Sequence, residues 1–169
     1  MTAFDTCYAS LLASEGGFTN NARDPGGITN LGVTKAAWQA WVAHTVTEQD
    51  MRKLTPTVVA PFYRSQYWNA IHGDYLPLGL ALCMFHCAVN AGPKRATTLL
   101  QTAVGATPDG AIGPATMAKI KGLDQKSLIH IFQDALRAYY RTLSTFDVFG
   151  VGWIKRAKDV ERQALELAQ

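Results

Sequence analysis

Apolar residues recur at helical spacing along most of the chain, and this pattern predicts a mainly α fold. The first predicted helix covers residues 3–15, where four apolar side chains share one face: Phe4, Tyr8, Leu11 and Leu12. Gly16–Gly17 is expected to end this helix, because glycine readily adopts the left-handed conformation that commonly follows a helix C-terminus.

The same spacing, together with cap residues, predicts the later helices. They cover residues 35–41, a short helix that starts near 47–50, and residues 55–71, 80–90, 94–104, 114–119, 125–143 and 151–168. Thr34 and Thr55 are expected N-caps, and Thr47 with Asp50 resembles a capping box. Residues 80–90 are almost wholly apolar, which indicates a buried central helix.

Residues 16–34 interrupt the helical pattern with Gly, Asn, Asp, Pro and Thr. Such a composition predicts a structured loop or a short hairpin after the first helix. A second turn-rich segment, residues 73–79, is the best candidate for a boundary between lobes. We therefore expect one lobe over residues 1–75 and a helical lobe over 76–169, packed on the first as one compact unit.

Composition narrows the class of protein only modestly. The chain has 169 residues, of which 48% are hydrophobic and 17% charged, a globular profile with a formal net charge of +3. A mildly basic chain suits an anionic polymer but lacks the dense Lys/Arg stripe of a nucleic-acid binder, so no nucleic-acid partner is expected. The longest apolar stretch is too short to span a bilayer, so no stable membrane insertion is expected.

Three cysteines give an odd number and no disulfide framework, which favours reduced thiols. Cys83, His86 and Cys87 fall on one helical face, but a fourth ligand is missing and the surroundings are apolar, so no metal site is expected. A Cys–His nucleophile, as in an amidase or endopeptidase, is the other chemical reading of this trio. The relative positions on a helix make a productive contact between these side chains improbable.

The two carboxylates of residues 15–34 carry the strongest chemical signal. Glu15 stands at a helix end, Asp24 follows nine residues later in a glycine-rich loop, and Thr29 comes five residues after that. Glycosidic bond cleavage usually needs an acid and a second carboxylate. The negative end of the helix dipole disfavours ionisation of Glu15, while Asp24 in a polar loop should stay ionised. A solvated helix end followed by an ordinary turn is the alternative, and spacing alone favours it.

The segment EGGFTNNARDPGGITNLGVT, residues 15–34, resembles the motif of glycoside hydrolase family 108, written roughly EGGY-x-N-x3-DPGG-x-TN-x-GIT. The family comprises bacterial and phage lysozyme-like muramidases, and Phe18 and Val33 are mild departures from its motif. The resemblance implies a two-lobed, lysozyme-like α fold with the first lobe catalytic. It implies Glu15 as the catalytic acid, with Asp24 and Thr29 positioning water or stabilising positive charge on the sugar.

Similarity to the family continues downstream. Residues 62–68 (FYRSQYW) resemble its aromatic helix, where Tyr67 and Trp68 are candidates to stack on sugars, although core packing explains their spacing equally well. Asn30 and Asn90, which lie in the matched motifs, are assigned to substrate binding. Residues 88–116 resemble the family's predicted peptidoglycan-binding region. Relatives often carry Asp at the position of His86, so the pH dependence of this chain is expected to differ.

The resemblance implies hydrolysis of the β-1,4 bond between N-acetylmuramic acid and N-acetylglucosamine in peptidoglycan, with no cofactor. The expected partners are peptidoglycan glycan strands, and a holin or secretion system that releases the enzyme; a monomer is expected. The N-terminus lacks a basic n-region, so we expect synthesis in the cytoplasm without a signal peptide and action in the periplasm. A lytic transglycosylase and a non-catalytic wall-binding or secretion accessory protein are the alternatives.

Overall fold

The computed structural model describes residues 1–20 and 27–168, and it confirms the prediction of a mainly α protein. The helices are α1 (Ala3–Ser14), α2 (Lys35–Val42), α3 (Glu48–Arg52), α4 (Pro56–Tyr63), α5 (Leu78–Ala91), α6 (Pro93–Ala103), α7 (Pro114–Lys121), α8 (Gln125–Arg141) and α9 (Phe146–Leu167). The strands are β1 (Thr19–Asn20), β2 (Ile28–Asn30) and β3 (Val33–Thr34). The chain divides into two compact units, Met1–Gln66 and Tyr67–Gln169, so this division falls inside the segment that the sequence assigns to the first lobe.

The first unit contains a small antiparallel sheet between α1 and α2. The strand order is β1-β2-β3, with Thr29 opposite Thr19 on one side and opposite Thr34 on the other. We call these three strands the hairpin sheet. The prediction of a loop or short hairpin in this region is therefore met by three very short strands, and Thr34 ends the sheet and caps α2 through Ala37 N–H at 3.2 Å.

Two predictions about helix ends in this unit are wrong. Neither Gly16 nor Gly17 is left-handed; instead Glu15 ends α1 by adopting an extended conformation, with φ −89° and ψ 147°. The predicted continuous helix over 55–71 ends at Tyr63 and is followed by a π-helical stretch, Arg64–Trp68, and short 3-10 turns. A one-dimensional apolar pattern does not distinguish these helical pitches, because the side chains face the same core in each case.

The second unit is built around α5, whose residues from Gly79 to Ala88 are all buried. This confirms the predicted central helix. Helices α6, α8 and α9 pack against it, and α8 and α9 also pack on each other. The last helix begins at Phe146 rather than near Val151, because the apolar side chains of its first turns are exposed and give no core-facing pattern.

No helix among the described residues is both long enough and apolar enough to cross a membrane.

Candidate active site

Glu15 is held at the end of α1 by the packing of that helix. The buried face of α1 consists of Phe4, Cys7, Tyr8 and Leu11, the apolar pattern seen in the sequence. The N–H of Glu15 still donates to the carbonyls of Leu11 (3.1 Å) and Leu12 (3.3 Å), although its own backbone has left the helix. Its side chain is half-buried. Helix packing thus fixes where the carboxyl group begins, and the extended backbone directs it away from the helix.

The carboxyl group of Glu15 packs against the backbone of Gly32. A Cβ atom added to Gly32 would lie 2.8 Å from Oε2 of Glu15 and 2.6 Å from the hydroxyl oxygen of Tyr63, closer than real Cβ atoms come to such groups. Gly32 also has φ +76°, a conformation that side chains disfavour. Only glycine therefore suits this position, because any side chain would displace the candidate acid or the tyrosine.

Leu31 and Gly32 form the two-residue turn between β2 and β3, which we call the hairpin turn. Both have positive φ, +50° and +76°, the signature of a type I′ hairpin turn. The left-handed conformation costs a residue such as leucine about 1–2 kcal/mol. The carbonyl of Leu31 accepts a hydrogen bond from the Tyr63 hydroxyl at 2.9 Å, which helps to hold the turn. Tyr63 was not among the residues predicted from the sequence, although it lies in the same motif as Tyr67 and Trp68, which were.

Helix α3 holds the other side of the hairpin sheet. The side-chain amide of Asn30 donates to the Met51 carbonyl at 2.7 Å, and Asn30 is only 6% exposed. The amide of Asn20 donates to Glu48 at 2.9 Å, and Arg52, which also pairs with Glu48, lies over the Phe18 ring at 3.8 Å. Asn30 was selected as a substrate-binding residue, and this placement gives it a structural hydrogen bond instead.

Of the other two residues selected from the motif, Thr29 is described by the structure and Asp24 is not. Thr29 lies on the central strand β2 and is half-buried, on the face opposite Asn30 because side chains alternate along a strand. Its hydroxyl is 3.5 Å from the Gly27 carbonyl, a long contact that does little to fix its orientation. Asp24 lies outside the described residues, so its predicted role stays a prediction.

Three of the selected residues belong to the second unit. Trp68 is fully buried, its indole N–H donates to Asp74 at 2.9 Å, and its ring meets Phe85 edge-on at 5.5 Å. This placement favours the core-packing alternative for Trp68 over stacking on a sugar. Tyr67 is half-buried. Asn90 is exposed at the end of α5, where its amide donates to the His86 carbonyl at 2.7 Å.

The Cys83–His86–Cys87 trio lies in the interior of the second unit and is poorly suited to chemistry. Burial raises the pKa of both thiols to about 12, so they carry no reactive thiolate near neutral pH. Burial, with a smaller contribution from Arg156, lowers the pKa of His86 to about 4. All three cysteines are buried, and none of them forms a disulfide. Among residues 1–20 and 27–168, no group of three or more His, Cys, Asp or Glu side chains is placed to hold a metal ion.

The residues that resemble the family's binding region are brought together around Gln101. This fully buried amide donates to Asp109 (2.7 Å) and to the Ala111 carbonyl (2.9 Å), and it accepts from the Gly110 N–H (2.9 Å). Its nitrogen also lies 3.2 Å from the hydroxyl of Thr116. The shared motif residues therefore fix the loop between α6 and α7, which is a structural reason for their pattern.

Comparison with known proteins places this geometry in a family. The family model described as Glycosyl hydrolase 108 matches residues 8–92. A solved structure, "Structure of Brucella abortus SagA", is 36% identical, covers 98% of this chain and 95% of that chain, and superposes with a TM-score of 0.88. No curated protein matches the sequence. The likeness confirms the predicted lysozyme-like fold class, whereas the binding role of the C-terminal region stays a prediction. The chain belongs to glycosyl hydrolase family 108, and it is a glycoside hydrolase by that membership.

Proposed function

We propose that this chain hydrolyses the β-1,4 bond between N-acetylmuramic acid and N-acetylglucosamine in bacterial peptidoglycan, with Glu15 as the general acid. The observation that carries the proposal is the placement of Glu15. Its carboxyl group lies at the end of α1 against Gly32 and beside the Tyr63 hydroxyl. A general acid must be protonated to act, and partial burial is one of the ways in which proteins keep a carboxyl group protonated.

In the proposed reaction, protonated Glu15 donates its proton to the glycosidic oxygen as the bond to C1 breaks. Water attacks C1 and loses a proton, and N-acetylmuramic acid is left as a new reducing end. We assign Asp24 and Thr29 to positioning that water or stabilising positive charge on the sugar. Tyr67 and Asn90 are proposed to bind the glycan, and no cofactor is needed for the reaction.

The proposed substrate is part of the cell wall, so the enzyme must reach the periplasm to act. We propose that a holin or a secretion system gives it that access, and that it binds glycan strands as a monomer in a setting of phage or prophage lysis. The route of access can be tested by expressing the protein with and without a holin and following lysis of the culture.

The decisive experiment compares the wild type with Glu15→Gln on purified Gram-negative peptidoglycan. Glutamine keeps the shape of the side chain but cannot donate the proton, and we expect loss of about 10²–10⁴-fold in rate. Glu166→Gln is the matched control, since it removes a carboxylate that is exposed on α9, where it pairs with Arg162 at 3.0 Å. Turbidity and the chemistry of the released ends are measured together.

Mass spectrometry of the products separates the proposed function from its alternatives. Reducing N-acetylmuramic acid ends, absent with Glu15→Gln, support hydrolysis. A 1,6-anhydro end identifies a lytic transglycosylase, and binding to sacculi without any released fragment identifies a wall-binding or secretion accessory protein. Equal clearing by the wild type and Glu15→Gln would exclude Glu15 as the acid.

A further inference from the structure

The hairpin turn is a strained piece of backbone that lies directly against the candidate acid. Leu31 holds a left-handed φ of +50°, which leucine rarely adopts, and the next residue, Gly32, contacts the Glu15 carboxyl group. Strained backbone of this kind persists only where surrounding groups hold it. The group that holds the hairpin turn in place therefore also affects the surroundings of Glu15.

Tyr63 is suited to hold the turn because its own position is fixed. It is fully buried, and its ring packs against Tyr8 at 5.5 Å and Phe62 at 5.6 Å between centroids. The buried ring gives the hydroxyl a defined position, from which it donates to the Leu31 carbonyl at 2.9 Å. Through this hydrogen bond, the fixed position of Tyr63 at the end of α4 determines the position of the hairpin turn.

The same hydroxyl oxygen and Oε2 of Glu15 approach one face of Gly32, at 2.6 Å and 2.8 Å from the point where a Cβ would stand. The turn and the tyrosine therefore cover the carboxyl group on that side. Loss of the hydrogen bond would free the turn to relax and admit water to this face. A better hydrated carboxyl group ionises more easily and is a poorer proton donor at neutral pH.

We infer that Tyr63 is a positioning residue for catalysis: through its hydrogen bond to Leu31 it holds the hairpin turn against Glu15. The inference rests on the proposed role of Glu15 and adds a residue to it. Tyr63 transfers no proton in this scheme. Its effect on the reaction passes through the backbone of Leu31 and Gly32.

The first unit supplies a closely matched control. The hydroxyl of Tyr8 donates to the Pro56 carbonyl at 2.8 Å, so Tyr8→Phe removes the same kind of hydrogen bond as Tyr63→Phe. The two tyrosine rings also pack on each other. We expect both variants to fold and to lose similar, small amounts of thermal stability, because each loses one phenol-to-carbonyl hydrogen bond.

The test measures kcat, KM and the pH profile of kcat on solubilised peptidoglycan for the wild type and both variants. Tyr63→Phe is expected to lower kcat about tenfold, a fraction of what general acid catalysis contributes, with KM nearly unchanged. The alkaline limb of its pH profile should move to lower pH, since the acid ionises earlier. Tyr8→Phe should keep the wild-type kcat and pH profile.

Glu15→Gln in the same assay tests the proposed function separately from the role of Tyr63. If Glu15→Gln is inactive while Tyr63→Phe matches Tyr8→Phe in kcat and pH profile, the role of Tyr63 is overturned and the proposed function stands. If Glu15→Gln is as active as the wild type, the proposed function fails, whatever Tyr63→Phe does. A fall in kcat for Tyr8→Phe equal to that for Tyr63→Phe would show a general effect of lost stability, and it would also overturn the inference.

Discussion

The two compact units hold their backbones in place by different means. In the first unit, side chains donate to backbone carbonyls far away in sequence: Tyr8 to Pro56, Asn30 to Met51 and Tyr63 to Leu31. In the second unit, α5 is enclosed by other helices, and Gly79 permits a close approach to α9. In the first unit, long-range hydrogen bonds to backbone carbonyls supplement the packing of the core, whereas the helices around α5 in the second unit are held chiefly by contact between apolar surfaces.

The difference follows from what each backbone can do for itself. A helix satisfies its own N–H and C=O groups, so helices need only pack together. Strands of two or three residues make few ladder bonds and bury little apolar surface, so the hairpin sheet needs side chains to hold its shape. The candidate acid lies in the unit where a single hydroxyl or amide can move the backbone. Catalytic geometry there should be more sensitive to small polar changes than the helical unit is.

The largest effect is expected from a methyl group at the closest helix contact of the second unit. In Gly79→Ala the new Cβ would lie 2.6 Å from the Ala164 carbonyl oxygen and 2.7 Å from Ile129 Cδ1. A backbone carbonyl is less able to move than a side chain, so we expect a loss of about 3 kcal/mol in the free energy of unfolding, the upper end of the usual cost of overpacking. Denaturant unfolding measures it.

Gly152→Ala is the control, because Gly152 lies within α9 and a Cβ there meets nothing within 4 Å. It should stabilise the protein by up to about 1 kcal/mol, since alanine favours helix over glycine. Unchanged stability in Gly79→Ala would mean that α5 and α9 can separate at little cost, and the contrast between the units would then weaken.

The second prediction concerns acid stability and His86. Burial and the nearby charge of Arg156 lower the pKa of His86 to about 4 from its ordinary 6.5. Between these values the unfolded chain binds a proton that the folded protein does not, so stability is retained above pH 6.5 and falls as the pH drops toward 4. The loss over this window should reach at most about 3 kcal/mol.

Melting temperature against pH tests this for the wild type and His86→Leu. Tyr140 of α8 and Arg156 of α9 face the same small cavity as His86, and both remain in the variant. We expect His86→Leu to flatten the decline between pH 6.5 and 4, whereas His44→Gln, which removes an exposed histidine, should keep it. An unchanged slope in His86→Leu would show that groups other than His86 cause the decline, and it would contradict the prediction.

The helices could be predicted from the sequence because the residues that cause them lie close together along the chain. Thr47 and Asp50 form the predicted capping box, Thr55 caps the helix that begins at Pro56, and the apolar run of α5 is buried as expected. In each case the pattern and its physical cause lie within a few residues. The most specific part of the family resemblance was equally local, since it lies in one segment of twenty residues, 15–34.

The candidate site was predicted less completely, because its contacts join segments that lie far apart in the sequence. Nothing in the residues around Tyr63 shows that its hydroxyl meets a carbonyl 32 positions earlier, or that Gly32 faces Glu15. Trp68 shows a different difficulty, because aromatic spacing alone leaves core packing and stacking on a sugar as alternatives, and only its burial favours the first. The prediction that Gly16–Gly17 ends α1 was wrong for a third reason. Glu15 itself leaves the helix in an extended conformation that carries no strain.

The smallest expected effect tests the directional bonds of the first unit and also the role of Asn30. Asn30→Ala removes a buried hydrogen bond to the Met51 carbonyl, which then keeps a backbone donor in the Leu54 N–H at 3.3 Å, and we expect a loss of about 1–2 kcal/mol of unfolding free energy. Asn20→Ala removes an exposed amide that bonds to Glu48, and it should cost less than about 1 kcal/mol.

Stability and KM together decide what Asn30 does. If its amide serves the hairpin sheet, Asn30→Ala lowers the melting temperature, and the folded protein keeps a KM close to that of the wild type. If the amide instead serves the substrate, KM rises while stability stays within the range of Asn20→Ala. The first result is expected, because Asn30 is only 6% exposed and one N–H of its amide is already donated to Met51 at 2.7 Å. A raised KM at unchanged stability would show that the Met51 contact gives way when glycan binds, and that polar contacts in this unit serve substrate as well as backbone.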